Sequence, residues 1–82
     1  MMNIAGHRIR VARTMQKPRL TQDDLVAKLH FEEIFISNKI LSLIELDKRY
    51  VTDVELVAFA KVLNVSTAWL LEETENPNAT LR

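Results

Sequence analysis

The decisive stretch is Leu20-Thr21-Gln22-Asp23-Asp24-Leu25-Val26-Ala27-Lys28-Leu29, followed after a gap by Ile36-Ser37-Asn38-Lys39-Ile40-Leu41-Ser42-Leu43-Ile44-Glu45. Thr21 is a good N-cap, because its hydroxyl can accept an orphan amide of the first turn. Asp23 and Asp24 then place two carboxylates at the positive end of a helix, and Leu25, Val26 and Leu29 give it an apolar side. A helix is predicted over 22–29. Ser37 caps a second, shorter one over Asn38–Glu45, in which Leu41 and Ile44 fall on one side. At about 100° per residue the opposite side carries Lys39, Ser42, Leu43 and Leu46, with Asn38 at its edge. Between the two helices, His30-Phe31-Glu32-Glu33-Ile34-Phe35-Ile36 shows no helical period and reads as the connecting turn.

Working outward, residues 4–16 carry Ala5, Ile9, Ala12 and Val11, Met15 at helical spacings, until Lys17-Pro18-Arg19 stops the helix. On the C-terminal side, Thr52-Asp53-Val54-Glu55 matches a capping box that starts a fourth helix. Its predicted stripe is Leu56, Val57, Ala60 and Leu63, widened by Phe59, and Asn64 can adopt the left-handed conformation that ends it. Ser66 caps a fifth helix with Ala68, Trp69, Leu70 and Leu71. From Glu72 onward the chain has nothing obvious to bury, so residues 74–82 read as a flexible tail on a domain of residues 1–73.

Composition agrees with a single all-α domain. The chain has 82 residues, one glycine, two prolines and no cysteine, which favours a small helical bundle and excludes disulfides, thiolate chemistry and cysteine zinc sites. No apolar run is long enough for a membrane span, and the first residues lack the apolar core of a signal peptide, so a cytoplasmic setting is expected. Eleven basic residues balance eleven acidic ones, yet residues 1–28 hold six basic groups against Asp23 and Asp24, while residues 50–82 hold two against five acids. A basic face can exist within that neutral sum. His7 and His30 lie on different elements without carboxylates at metal-ligand spacing. No nucleophile triad or glycine-rich phosphate loop is present, so neither an enzyme nor a cofactor is expected.

These residues, with Lys48-Arg49, the helix Val54–Leu63 and Asn64-Val65-Ser66-Thr67-Ala68-Trp69-Leu70-Leu71, resemble the lambda-repressor/Cro-type (XRE family) helix-turn-helix domain over roughly residues 4–72. The resemblance implies a compact five-helix bundle whose third helix lies in the major groove of DNA. It implies a cytoplasmic, sequence-specific transcription regulator of repressor type, acting as a homodimer on double-stranded DNA at a near-palindromic site. Asn38, Lys39, Ser42 and Leu43 would face base edges, with asparagine suited to adenine, lysine to guanine acceptors or a phosphate, and leucine to a thymine methyl only. Thr21 and Gln22 would meet a phosphate at a helix N-terminus, and Lys48 and Arg49 would contact the sugar-phosphate backbone. Arg13 would pair with Glu45 in a structural role.

Each assignment has a plainer competitor. An outward asparagine, lysine and serine commonly form a solvated face, Thr21 is a cap under either reading, and Trp69 with Leu70 and Leu71 reads as core, or as core plus a dimer contact, rather than as a ligand site. The chain also departs from the family. Its connection between the second and third helices is longer than usual, Leu43 and Leu46 stand where polar or basic residues are common, and Leu46-Asp47 replaces a frequent Asn-Gly. Exposed leucines suit a protein contact. The competing reading is therefore an interaction module, such as an antitoxin or anti-repressor, that binds a protein partner through Leu43 and Leu46.

Overall fold

A computed structural model describes residues 1–79, and among them the chain forms five helices and no strand. They are α1 (Gly6–Thr14), α2 (Gln22–Phe31), α3 (Asn38–Glu45), α4 (Asp53–Leu63) and α5 (Thr67–Leu70). The all-α expectation holds. No helix among the described residues is long and apolar enough to cross a membrane.

Four of the five helices start on the hydroxyl residue that local chemistry selects. Thr21 Oγ1 accepts the Asp24 amide at 3.0 Å while Asp24 accepts the Thr21 amide at 2.9 Å, a reciprocal box repeated by Thr52 and Glu55. Ser37 accepts from the Ile40 amide and Ser66 from the Trp69 amide. α1 differs: Ala5 cannot cap, and Asn3 Oδ1 reaches in to accept the Gly6 amide at 2.7 Å. That moves the start of α1 two residues later than the apolar spacing predicts. At the other end, α2 gains His30 and Phe31 over its predicted span.

The exits of α2, α3, α4 and α5 share one device, whereas α1 ends at Met15 in the right-handed region. Glu33, Asp47, Asn64 and Glu72 all have φ near 60°. Each is followed by an amide that reaches back to the helix: Ile34 to the Leu29 carbonyl, Lys48 to Leu43, Val65 to Ala60 and Glu73 to Ala68. This satisfies carbonyls that a helix C-terminus leaves without partners. Asn64 and Asp47 tolerate the left-handed region, whereas Glu33 and Glu72 occupy it at a cost of roughly 1–2 kcal/mol each.

The core is built from Ile9 of α1, Leu25 and Leu29 of α2, Leu41 and Ile44 of α3, Phe59 and Leu63 of α4 and Leu70 of α5, all essentially without solvent contact. The connection after α2 also contributes. Ile34 and Ile36 are buried while Phe35 between them is 74% exposed, the alternation of an extended segment rather than of a helix. It is therefore more than a turn: Ile34 and Ile36 belong to the core.

Two expectations need correction. In α4 the inward side is Glu55, Ala58, Phe59, Ala60 and Leu63, whereas Val57 is 60% exposed and Leu56 only partly covered. Phe59, the bulkiest apolar side chain of the helix, sets the inward direction, and Val57 lies about 160° around the axis from it. The segment after α5 does have something to dock on as far as residue 79. Arg8 donates to the carbonyls of Trp69 and Thr74, both at 2.8 Å, and pairs with Glu75, while the Pro77 carbonyl accepts the Ser66 amide. The Arg8 guanidinium stands 4.9 Å from the centroid of the Trp69 ring, which adds a cation–π contact. The remainder of the expected tail, 80–82, lies outside the described residues.

Candidate functional site

α3 is fastened at both ends and along one side. Leu41 and Ile44 face the core, and α1 and α2 both pack against the helix. At its C-terminal end Glu45 accepts two hydrogen bonds from Arg13, Nε to Oε2 at 2.8 Å and Nη2 to Oε1 at 3.0 Å. Both side chains are nearly buried, and Arg13 also donates to the Leu20 carbonyl at 3.0 Å. Gln22 adds a third bond to the same carboxylate at 3.1 Å. A planar guanidinium fork matches a carboxylate in two parallel bonds, so the angle of α3 against α1 is held geometrically as well as electrostatically.

Past Glu45 the chain is tied to the N-terminus. Asp47 accepts the amides of Met2 and Asn3 at 2.7 and 2.9 Å. These amides, Asn3 first and then Met2, hold its carboxyl below the usual range. Asn3 in turn donates to the Ile44 and Arg49 carbonyls at 3.1 and 2.8 Å. Sequence reasoning missed this clamp; the one local signal was an asparagine three residues before a helical glycine, a capping spacing.

The outward side of α3 carries the residues in question. Lys39 is exposed, Ser42 and Leu43 are half-buried, and Leu46 just beyond the helix is 56% exposed. Asn38 is exposed but spends an amide hydrogen on Asp23 at 2.7 Å. Gln22 and Ser42 line a shallow groove with Arg10, Arg13, Glu45 and Leu46. Arg10 had no role in the sequence reading; its position three residues before Arg13 places the two on one side of α1. The Thr21 hydroxyl is occupied as a cap. Lys48 is exposed, whereas Arg49 is half-buried and donates to Glu55 at 2.7 Å and to the Tyr50 carbonyl at 3.0 Å. The structure thus brings Gln22, Asn38 and Ser42 to the α2–α3 side and sets Lys48 and Arg49 apart beyond the end of α3. Asp23 adds an acid that the face must accommodate. Among the described residues no group of three or more His, Cys, Asp or Glu is placed to hold a metal ion.

Glu55 links this region to α4. Burial raises its pKa, but the Arg49 guanidinium and the Thr52 amide and hydroxyl outweigh that, and the net direction is down from the ordinary 4.5. A carboxyl whose folded pKa is depressed stabilises the fold above its unfolded pKa and loses that contribution as pH falls through the folded value. Asp24 and Asp47 are shifted in the same direction. The melting temperature is therefore expected to fall as pH drops below about 4.5, and less steeply for Glu55→Gln. Parallel melts of both proteins from neutral to acid pH check this; identical slopes would mean that Glu55 is not a stabilising carboxylate.

Compared with protein-family models, curated proteins and solved structures, the chain matches none of them.

Proposed function

We propose that the chain is a sequence-reading DNA-binding regulator of repressor type, with α2 and α3 as a helix-turn-helix and α3 as the element that enters the major groove. The observation that carries this reading is the treatment of α3: a short helix locked by Arg13, Glu45 and Gln22 whose outer side carries the exposed Lys39 with the half-buried Ser42 and Leu43. Direct readout needs such a rigid presentation, since base edges accept hydrogen bonds only in narrow geometries. Asn38 would exchange Asp23 for a base edge on binding. Lys48 supplies an exposed cation for the backbone, and Arg49 would have to share its guanidinium between Glu55 and a phosphate. One such helix reads only a few base pairs, so useful specificity calls for a homodimer on half-sites about 34 Å apart.

The test is binding selection from a randomised duplex pool at about 100 mM salt. An enriched palindrome supports the proposal. Lys39→Ala is then expected to cost about 1–3 kcal/mol at the selected site and to relax sequence choice there. Equal losses on selected and random duplexes would remove Lys39 from base readout. No enrichment by a folded protein overturns the proposal and favours the second reading, a protein partner on the exposed Leu46 beside α3.

A further inference from the structure

α4 has two opposed sides. Phe59 and Leu63 point into the core, and the reverse side carries Asp53, Val54, Val57 and Lys61, all exposed. Val54 and Val57 leave 65% and 60% of their surface uncovered by the described residues, although valine is a mediocre helix former that gains little from an exposed site. The charges are ordered about them. Asp53 and Lys61 stand four residues, one turn, to either side of Val57, and at about 100° per residue each lies about 40° from it around the helix.

We infer that this side of α4 is the contact between two copies of the chain, with the helices antiparallel across a two-fold axis beside Val57. A two-fold interface must be its own complement. Antiparallel pairing meets that condition: Asp53 of each copy faces Lys61 of the other, Val57 faces itself, and Val54 lies along the aliphatic stem of the other copy's Lys61. Parallel pairing would set Asp53 on Asp53 and Lys61 on Lys61. The surface also continues past Asp53 into an apolar groove of about 440 Å³ lined by Met1, Met2, Ile4, Leu56 and Leu71, which a second copy would help to cover. Lys61 already meets Glu32 at 2.9 Å with its side chain 68% exposed, and an ammonium with three donors can serve a second carboxylate.

This surface gives the homodimer of the DNA-binding reading its contact, but the inference rests on α4 alone. Solution mass tests it without DNA, and duplex selection tests the other, so either can fail separately. Sedimentation of the full chain is expected to show a dimer whose fraction rises with concentration up to about 200 µM. Asp53→Lys and Lys61→Glu should each weaken self-association about tenfold by placing like charges across the axis. An equimolar mixture of the two should recover it, because both cross-pairs then join a lysine to an acid. Val57→Asp should leave only monomer, with helix content unchanged by circular dichroism because the position is exposed. A wild-type chain that stays monomeric, a dimer indifferent to Val57→Asp, or a mixture that fails to recover would each overturn the assignment.

Discussion

Arg13→Met is expected to cost about 3–5 kcal/mol of folding stability. Arg13 is the principal counterion of a carboxylate that is 4% exposed, and it supplies two of the three side-chain hydrogen bonds to Glu45. Its removal leaves a buried carboxylate with Gln22 as its one remaining side-chain donor, which is costly. The Leu20 carbonyl loses a donor as well. Against a total of about 5–15 kcal/mol for a domain, this brings the variant close to unfolding. The exposed pairs differ: Glu75 is 91% exposed in its pair with Arg8, and such pairs contribute about 0–1 kcal/mol. Removing both buried partners, Arg13→Met with Glu45→Leu, should restore most of the loss, because an apolar pair of similar volume leaves no uncompensated charge. Trp69 is the single tryptophan and is buried, so its fluorescence in urea reports the unfolding directly. A single variant within about 1 kcal/mol of wild type would show that the pair is not an obligatory lock.

What was legible in the sequence is what short windows encode. Thr21, Ser37, Thr52 and Ser66 cap helices because each bond spans three residues, and the bounds of α3 and its buried Leu41 and Ile44 follow from that cap and the helical period. The left-handed Asn64 was legible for the same reason. The orientation of α4 was not: its sequence is apolar on several sides, and only packing of Phe59 against the other helices decides that Val57 faces out. Nor could local reading find Asn3 and Asp47, whose bond joins residues 44 apart, or Arg8 reaching Thr74 across 66. At the candidate site, residue types suggested which side chains face outward, but not that Asn38 would hold Asp23, Gln22 would hold Glu45 or Arg49 would hold Glu55. Those pairings depend on where neighbouring elements bring opposite charge and amide groups together. They also rank the candidates: Gln22, Asn38 and Arg49 must first give up an internal partner and the Thr21 hydroxyl is held as a cap, whereas Lys39, Ser42 and Lys48 have no such side-chain bond to break among the described residues.

Gly6→Ala carries the second large effect, and its sign opposes ordinary helix preference. In a solvated helix the change would stabilise by about 1 kcal/mol. Here the first turn of α1 meets the last turn of α3 backbone to backbone: a Cβ on Gly6 would overlap the Ile44 carbonyl oxygen and stand 2.8 Å from Asn3 Oδ1. Neither atom is free to yield. The Ile44 carbonyl accepts from Asn3 Nδ2, and Asn3 Oδ1 is the acceptor that starts α1. Relief therefore requires α1 and α3 to separate, which opens the contact just before Glu45 and strains the Arg13 fork. A net cost of about 3 kcal/mol is expected, the upper range for overpacking because the obstacle is backbone. Urea unfolding gives the magnitude, and amide chemical shifts of residues 43–47 show where the strain goes. If Gly6→Ala were neutral or stabilising, with those amides unmoved, α1 and α3 could not be as close as the structure places them. A destabilised fold whose shifts change mainly at Ile44 and Glu45 would make the lone glycine a determinant of the angle at which α3 is presented. A position at the far end of the α1–α3 contact would then set the geometry of the outward side of α3.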